Sequence, residues 1–176
     1  MSKANIEAMY RLSPLQHGML FHTIYAPDSG VYVEQLWCRL QGPLQIAAFQ
    51  QAWHYVINRH TVLRTAFEWQ LQSDPVQVVQ RQVKLPWTFY DWRDLPASTH
   101  DDQLQDFLET DRVQGFALDQ APLLRLALIQ TDGDVYWFIW TNHHMLLDGW
   151  SRAQVMQEVL VSYKAFVTHQ MPDMPP

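Results

Sequence analysis

A chain of 176 residues, 48% hydrophobic and 17% charged, is long enough to bury a core and too apolar to remain disordered. A formal net charge of −6 without a basic stripe gives nucleic-acid binding no support, and no apolar run approaches the ~20 residues that span a bilayer. The single cysteine, Cys38, excludes an internal disulfide and fits a reducing, cytoplasmic setting, as a small buried residue of a strand-like run.

The first predicted element opens at "SPLQHGMLFHTIY", residues 13–25. Ser13 can cap, Pro14 suits the first helical position, and Gln16 completes a capping box. Leu15, Gly18, Met19 and His22 then fall at helical spacing and predict the packed face. "APDSG" breaks the helix, "VYVEQLWCRL" (31–40) reads as a strand, and "GPLQIAAFQQAWHYVINRH" (42–60) reads as a second helix. "VLRTAFEWQ" and "VQVVQ" predict a hairpin across "LQSDP", and "STHDDQLQDFLETDRV" (98–113) an amphipathic helix whose acidic first turn suits its dipole. "PLLRLALIQ" and "VYWFIWTN" flank an Asp-Gly turn, a strong hairpin signal, and "SRAQVMQEVLVSYKAFVT" (151–168) is the last helix. The order αβαββαββα points to an α+β sandwich with a mixed sheet and helices packed on it.

Chemistry concentrates in "TNHHMLLDGW", residues 141–150, between the last strand and the last helix. One imidazole there could serve as base or donor near neutral pH. His143 and His144, if extended, point to opposite faces, so only one faces a given cavity. A metal site is disfavoured, because two histidines and Asp148 converge poorly and no second ligand cluster completes the set. The plainest reading is a satisfied histidine with Asp148 as helix cap and Gly149 allowing a sharp turn. Ser151 lacks a G-x-S-x-G elbow and reads as a first-turn residue, and His17, His22, His54 and His60 read as surface or packing histidines.

Three segments change the balance. "SPLQHGMLFH" (13–22), "NRHTVLRTAF" (58–67) and "NHHMLLDGWS" (142–151) occur in one order across nearly the whole chain. Together they resemble the first three core motifs of nonribosomal peptide synthetase condensation domains, whose HHxxxDG pattern is matched by His143, His144, Asp148 and Gly149. The resemblance implies a chloramphenicol-acetyltransferase-like fold of two lobes, with the active site between them. It implies amide formation between an acyl or peptidyl thioester on an upstream carrier protein and an aminoacyl thioester on a downstream one. Both substrates would arrive on phosphopantetheine arms, with no cofactor bound directly and no metal.

On this resemblance His144 is the residue at the chemistry, as base or as a group that orients the amine and stabilises the tetrahedral intermediate. His143 is structural. Asp148 pairs with Arg64 of "LRTAF" and holds the motif's shape, so its loss strands a buried charge. Gly149 and Trp150 position substrate. The histidine pair argues against heterocyclising relatives, and "GWS" ranks epimerisation lower. Residues 1–12 resemble a communication segment, 13–170 an N-terminal lobe, and 171–176 the start of an inter-lobe connector. A complete domain of the family is longer, so this lobe alone is expected to fold, to turn over little, and to self-associate through its exposed lobe interface. Two alternatives stay open: a coenzyme A-dependent acyltransferase of the same superfamily, and a non-catalytic module that docks carrier proteins.

Overall fold

The computed structural model describes residues 3–26, 29–70 and 74–174. The break predicted at 26–30, the turn predicted at 71–75 and the end of the 171–176 connector therefore lie partly outside the described residues.

Seven strands and four α-helices form within that range: β1 (Ile6–Arg11), α1 (Pro14–Tyr25), β2 (Val33–Gln41), α2 (Ile46–Arg59), β3 (Thr65–Glu68), β4 (Val76–Gln80), β5 (Trp87–Asp91), α3 (His100–Gln114), β6 (Leu124–Asp132), β7 (Val135–His143) and α4 (Gly149–Val167). A mixed sheet has the order β2-β7-β6-β5, antiparallel except for the parallel β5–β6 pair, and a smaller antiparallel sheet has the order β1-β4-β3. The expected α+β class and mixed sheet are observed.

Strand alternation sorts the large sheet into two faces. Leu124, Leu126 and Leu128 of β6 join Tyr136, Phe138 and Trp140 of β7 in the main core, where α2 contributes Phe49, Trp53 and Val56 and α4 contributes Val155 and Val159. Trp53 and Trp140 are fully buried and meet edge to face, ring centroids 4.9 Å apart. On the opposite face Ala127, Ile129 and Ile139 pack against Leu104 and Leu108 of α3. The predicted hairpin over Asp132 and Gly133 joins β6 to β7 as antiparallel neighbours, with a register shift between Gln130 and Asp132, and delivers the end of β7 to the rim of the core.

Two strands went unpredicted, and one of them moves a boundary. β1 pairs with β4 from Ile6 opposite Gln80 to Arg11 opposite Val76, so residues 6–11 belong to the folded lobe rather than to a segment ahead of residue 13. β5 pairs with β6 across the α3 crossover. Val62–Arg64, predicted as strand, lies in a 3-10 turn, Thr61–Arg64.

The capping box forms as read: Gln16 N–H donates to Ser13 Oγ at 3.2 Å, Ser13 N–H donates to Gln16 Oε1 at 2.9 Å, and Pro14 opens α1. Of the four residues predicted to share a face, only Met19 is buried. Leu15 is 71% exposed and His22 is exposed, whereas Met19 and Leu20 are buried. The helix is rolled so that Gln16 and Thr23, on the same side as Met19 and Leu20, reach polar groups at the end of β7.

Candidate active site

β7 ends at His143, residues 144–148 cross a short loop, and α4 begins at Gly149. Asp148 caps α4, taking the Ser151 N–H on Oδ1 at 2.7 Å. That N–H, then the Ser151 hydroxyl, holds the Asp148 carboxyl below its usual range, and the nearby His144 adds to the effect.

His143 is buried and locked by its neighbours. Its Nδ1 accepts the Met145 N–H at 3.2 Å, and its Nε2 lies 3.4 Å from Thr23 Oγ1. The Thr23 hydroxyl donates to Met19 O at 2.9 Å, so its oxygen is free to accept. One assignment satisfies every group: a neutral ring with its proton on Nε2. Burial, reinforced by His144, pushes the His143 pKa down from 6.5 to about 4. A ring charged in the unfolded chain but neutral in the fold costs stability as pH falls through 6.5 toward 4. The full difference is worth roughly 3 kcal/mol, more than half of it gone by pH 5. Denaturant melts between pH 7.5 and 5 are expected to show this slope, and His143→Gln, less stable at the outset, is expected to flatten it. Equal slopes in the two proteins would refute the assignment.

His144 has the opposite environment. Its side chain is 33% exposed, its N–H donates to Tyr32 O at 2.8 Å, and its ring stacks on that of Tyr32 at an interplanar angle of 9°. Nδ1 is buried and lies 3.2 Å from Glu34 Oε2, off the line of a hydrogen bond. Arg152 of α4 donates to the same oxygen at 3.3 Å. Nε2 has no hydrogen-bond partner among the described residues and, unlike Nδ1, is not a buried atom. The two histidines thus differ in environment: His143 closes β7 and is buried, while His144 opens the loop and is partly exposed.

The expected pair between Asp148 and Arg64 does not form. Arg64 is 5% exposed and directs its guanidinium to the small sheet, where Nη1 donates to Glu7 Oε2 at 2.7 Å and to Gln80 O, while Nε donates to Ile57 O at 3.2 Å. Its carboxylate partner comes from β1, the strand the sequence left unassigned. Asp148, exposed at a helix start, needs no buried cation, so its loss removes a cap and strands no charge. Gly149 has a helical rather than left-handed backbone, and a Cβ built there meets nothing within 4 Å, so the glycine marks open space instead of a forced turn. Trp150 is 78% exposed beside it.

The structure therefore gathers His143, His144, Asp148, Gly149 and Trp150 and leaves Arg64 outside. It adds Gln16, whose Nε2 donates to Met145 O at 3.2 Å and pins the loop, together with Tyr32, Glu34 and Arg152. Glu34 was discoverable as a lone carboxylate in an otherwise apolar strand end; Arg152 carried no signal.

A condensation-domain family model matches residues 6–176. The chain is 48% identical over 160 residues to a linear gramicidin synthase polypeptide of Brevibacillus parabrevis, covering 91% of this chain and 3% of that protein. It is 36% identical over 158 residues to bacitracin synthase 3 of Bacillus licheniformis, covering 90% of this chain and 2% of that one. Among solved structures, the starter condensation domain of rhizomide synthetase RzmA superposes with a TM-score of 0.85 at 24% identity, covering 96% of this chain and 40% of that one. A four-domain nonribosomal peptide synthetase bound to AMP and glycine gives a TM-score of 0.79 at 20% identity, covering 94% of this chain and 12% of that one. These two likenesses establish the fold, and this chain spans only a small part of its curated relatives. With motifs, topology and family model in agreement, the chain belongs to the condensation domain family.

Proposed function

We propose that this chain acts as the N-terminal lobe of a nonribosomal peptide synthetase condensation domain, with His144 meeting the amine that attacks a carrier-bound acyl or peptidyl thioester. The observation that carries the reading is the divided environment of His144: Nδ1 buried beside a carboxylate, Nε2 unpartnered and not buried. The amine nitrogen bonds to the thioester carbonyl carbon, the carbon–sulfur bond breaks, and the amine proton passes through Nε2 to the departing thiolate. The products are an amide and a free carrier thiol. Open space at Gly149 lets the thioester approach, and the Trp150 ring borders its path. His143, neutral and enclosed, supports the loop.

Turnover belongs to a domain completed by the second lobe, and the isolated chain turns over little. Leu15, Phe21, Tyr25 and Trp150, all more than half exposed, support an interface that the second lobe covers and that drives self-association without it. The partners are an upstream donor carrier and a downstream acceptor carrier, each delivering substrate on a phosphopantetheine arm in the cytoplasm. No helix among the described residues is long and apolar enough to cross a membrane.

The test offers the completed domain an aminoacyl carrier together with the donor acyl group on either a carrier protein or coenzyme A. Amide formed from the carrier-bound donor alone is the expected result. Equal use of coenzyme A would favour the simpler acyltransferase. Saturable carrier binding with no product would favour a docking module.

A further inference from the structure

We infer that Glu34 is the positioning residue of His144: its carboxylate takes the Nδ1 proton as hydrogen-bond acceptor and leaves the Nε2 lone pair for the substrate amine. This rests on the reading of His144 as the group that meets the amine.

Register brings the two together. Glu34 of β2 stands opposite Asn142 of β7, on the sheet face that α4 covers. His144, two residues beyond Asn142, returns to that face just past the end of the strand. Its freedom there is small. The backbone is tied to Tyr32 O, and Tyr32, held at a φ of 68°, lays its ring along the imidazole and presents its hydroxyl 3.2 Å from His22 Nδ1. The ring can turn about its own bond to Cβ but cannot leave.

Nδ1 is a buried polar atom without an aligned partner, an arrangement that normally costs stability. Among the described residues the Glu34 carboxylate oxygen, at 3.2 Å, is the charged acceptor within reach, and a small ring rotation aligns it. Arg152 holds that oxygen from α4. The other charged group near the ring, Asp148, is committed to Ser151. A carboxylate accepts several hydrogen bonds, so Arg152 and His144 share it without competition.

The consequence is chemical. In a neutral imidazole one nitrogen donates and the other accepts. A proton on Nδ1 makes Nε2 an acceptor able to take the amine proton. A proton on Nε2 would make that atom a donor and abolish the role. Glu34 thereby selects between the two roles that the motif alone leaves open.

The test reads ring-nitrogen NMR signals of His144 in the full chain, at a pH where the imidazole is neutral. The expected pattern is a protonated Nδ1 and a bare Nε2. Glu34→Leu is expected to move the proton to Nε2, the form free histidine prefers. Arg152→Gln, which breaks the ion pair and keeps the carboxylate, is expected to leave the pattern unchanged. Should leucine disturb β2, the equal-sized Glu34→Gln repeats the measurement, with a mixture of forms expected. In the completed domain Glu34→Leu should lower kcat at least about tenfold with KM unchanged. An unaltered nitrogen pattern in Glu34→Leu, or an equal change in Arg152→Gln, overturns the inference. Because the NMR needs no turnover, full activity in a His144 variant would sink the functional reading separately.

Discussion

Replacing His144 by alanine is expected to lower amide formation in the completed domain by about 10²–10⁴-fold while leaving the thermal midpoint almost unchanged. That loss corresponds to roughly 3–5 kcal/mol of transition-state stabilisation. The fold should tolerate the change, because the side chain is one-third exposed, Arg152 still holds the Glu34 carboxylate, and the backbone tie to Tyr32 survives. His143→Ala should behave in the reverse sense. It removes the Met145 acceptor and opens a cavity beside Phe116, so stability falls before catalysis is addressed. Assays with both carriers loaded, read beside thermal melts, separate the two. A His144→Ala domain retaining a third of the parent rate would end the catalytic assignment.

Local chemistry made much of this arrangement readable before any coordinates. The capping box at Ser13 and Gln16, the Asp148 cap and the Asp-Gly hairpin all depend on groups a few residues apart, and each formed as expected. That one histidine would be enclosed and the other partly exposed was also legible in the sequence, although His144 lies just past the strand. What escaped depends on distant partners. β1 is a strand because β4, some seventy residues later, satisfies its backbone, and β5 because β6 lies beside it across a helix. Neither has a hairpin turn to announce it. The roll of α1 was hidden because its apolar residues lie on two sides, and the side that packs is chosen by Gln16 and Thr23 reaching the β7 terminus. Arg64 shows the same limit for charge: the sequence says that a buried guanidinium needs a carboxylate, but only topology says that Glu7 provides it.

Removing Arg125 is expected to cost about 3–5 kcal/mol, because it leaves Asp111 buried without its cationic partner. Asp111 is 8% exposed near the end of α3. Its Oδ1 accepts from Arg125 Nε of β6 at 2.5 Å, and its Oδ2 accepts from Thr141 of β7 at 2.5 Å and from Gln35 of β2 at 2.8 Å. One carboxylate thus ties α3 to three adjacent strands of the large sheet. The guanidinium also lies over the Phe116 ring, 4.4 Å from its centroid, and that ring meets His143 edge to face. Arg125→Met keeps the stem's packing and removes the guanidinium with its bonds to Asp111 and to the Gly115 carbonyl, so the loss reads the stranded polar partners rather than a cavity. Asp111→Leu in the same background removes the stranded charge and should return part of the stability, a positive coupling that a double-mutant cycle in urea measures directly. Because Phe116 rests on both Arg125 and His143, the single variant should also disturb His143 ring signals, and the double variant should restore them in part. A single-variant loss below about 1 kcal/mol would show that Thr141 and Gln35 alone satisfy the carboxylate. The pair would then be dispensable to the seating of the histidine loop.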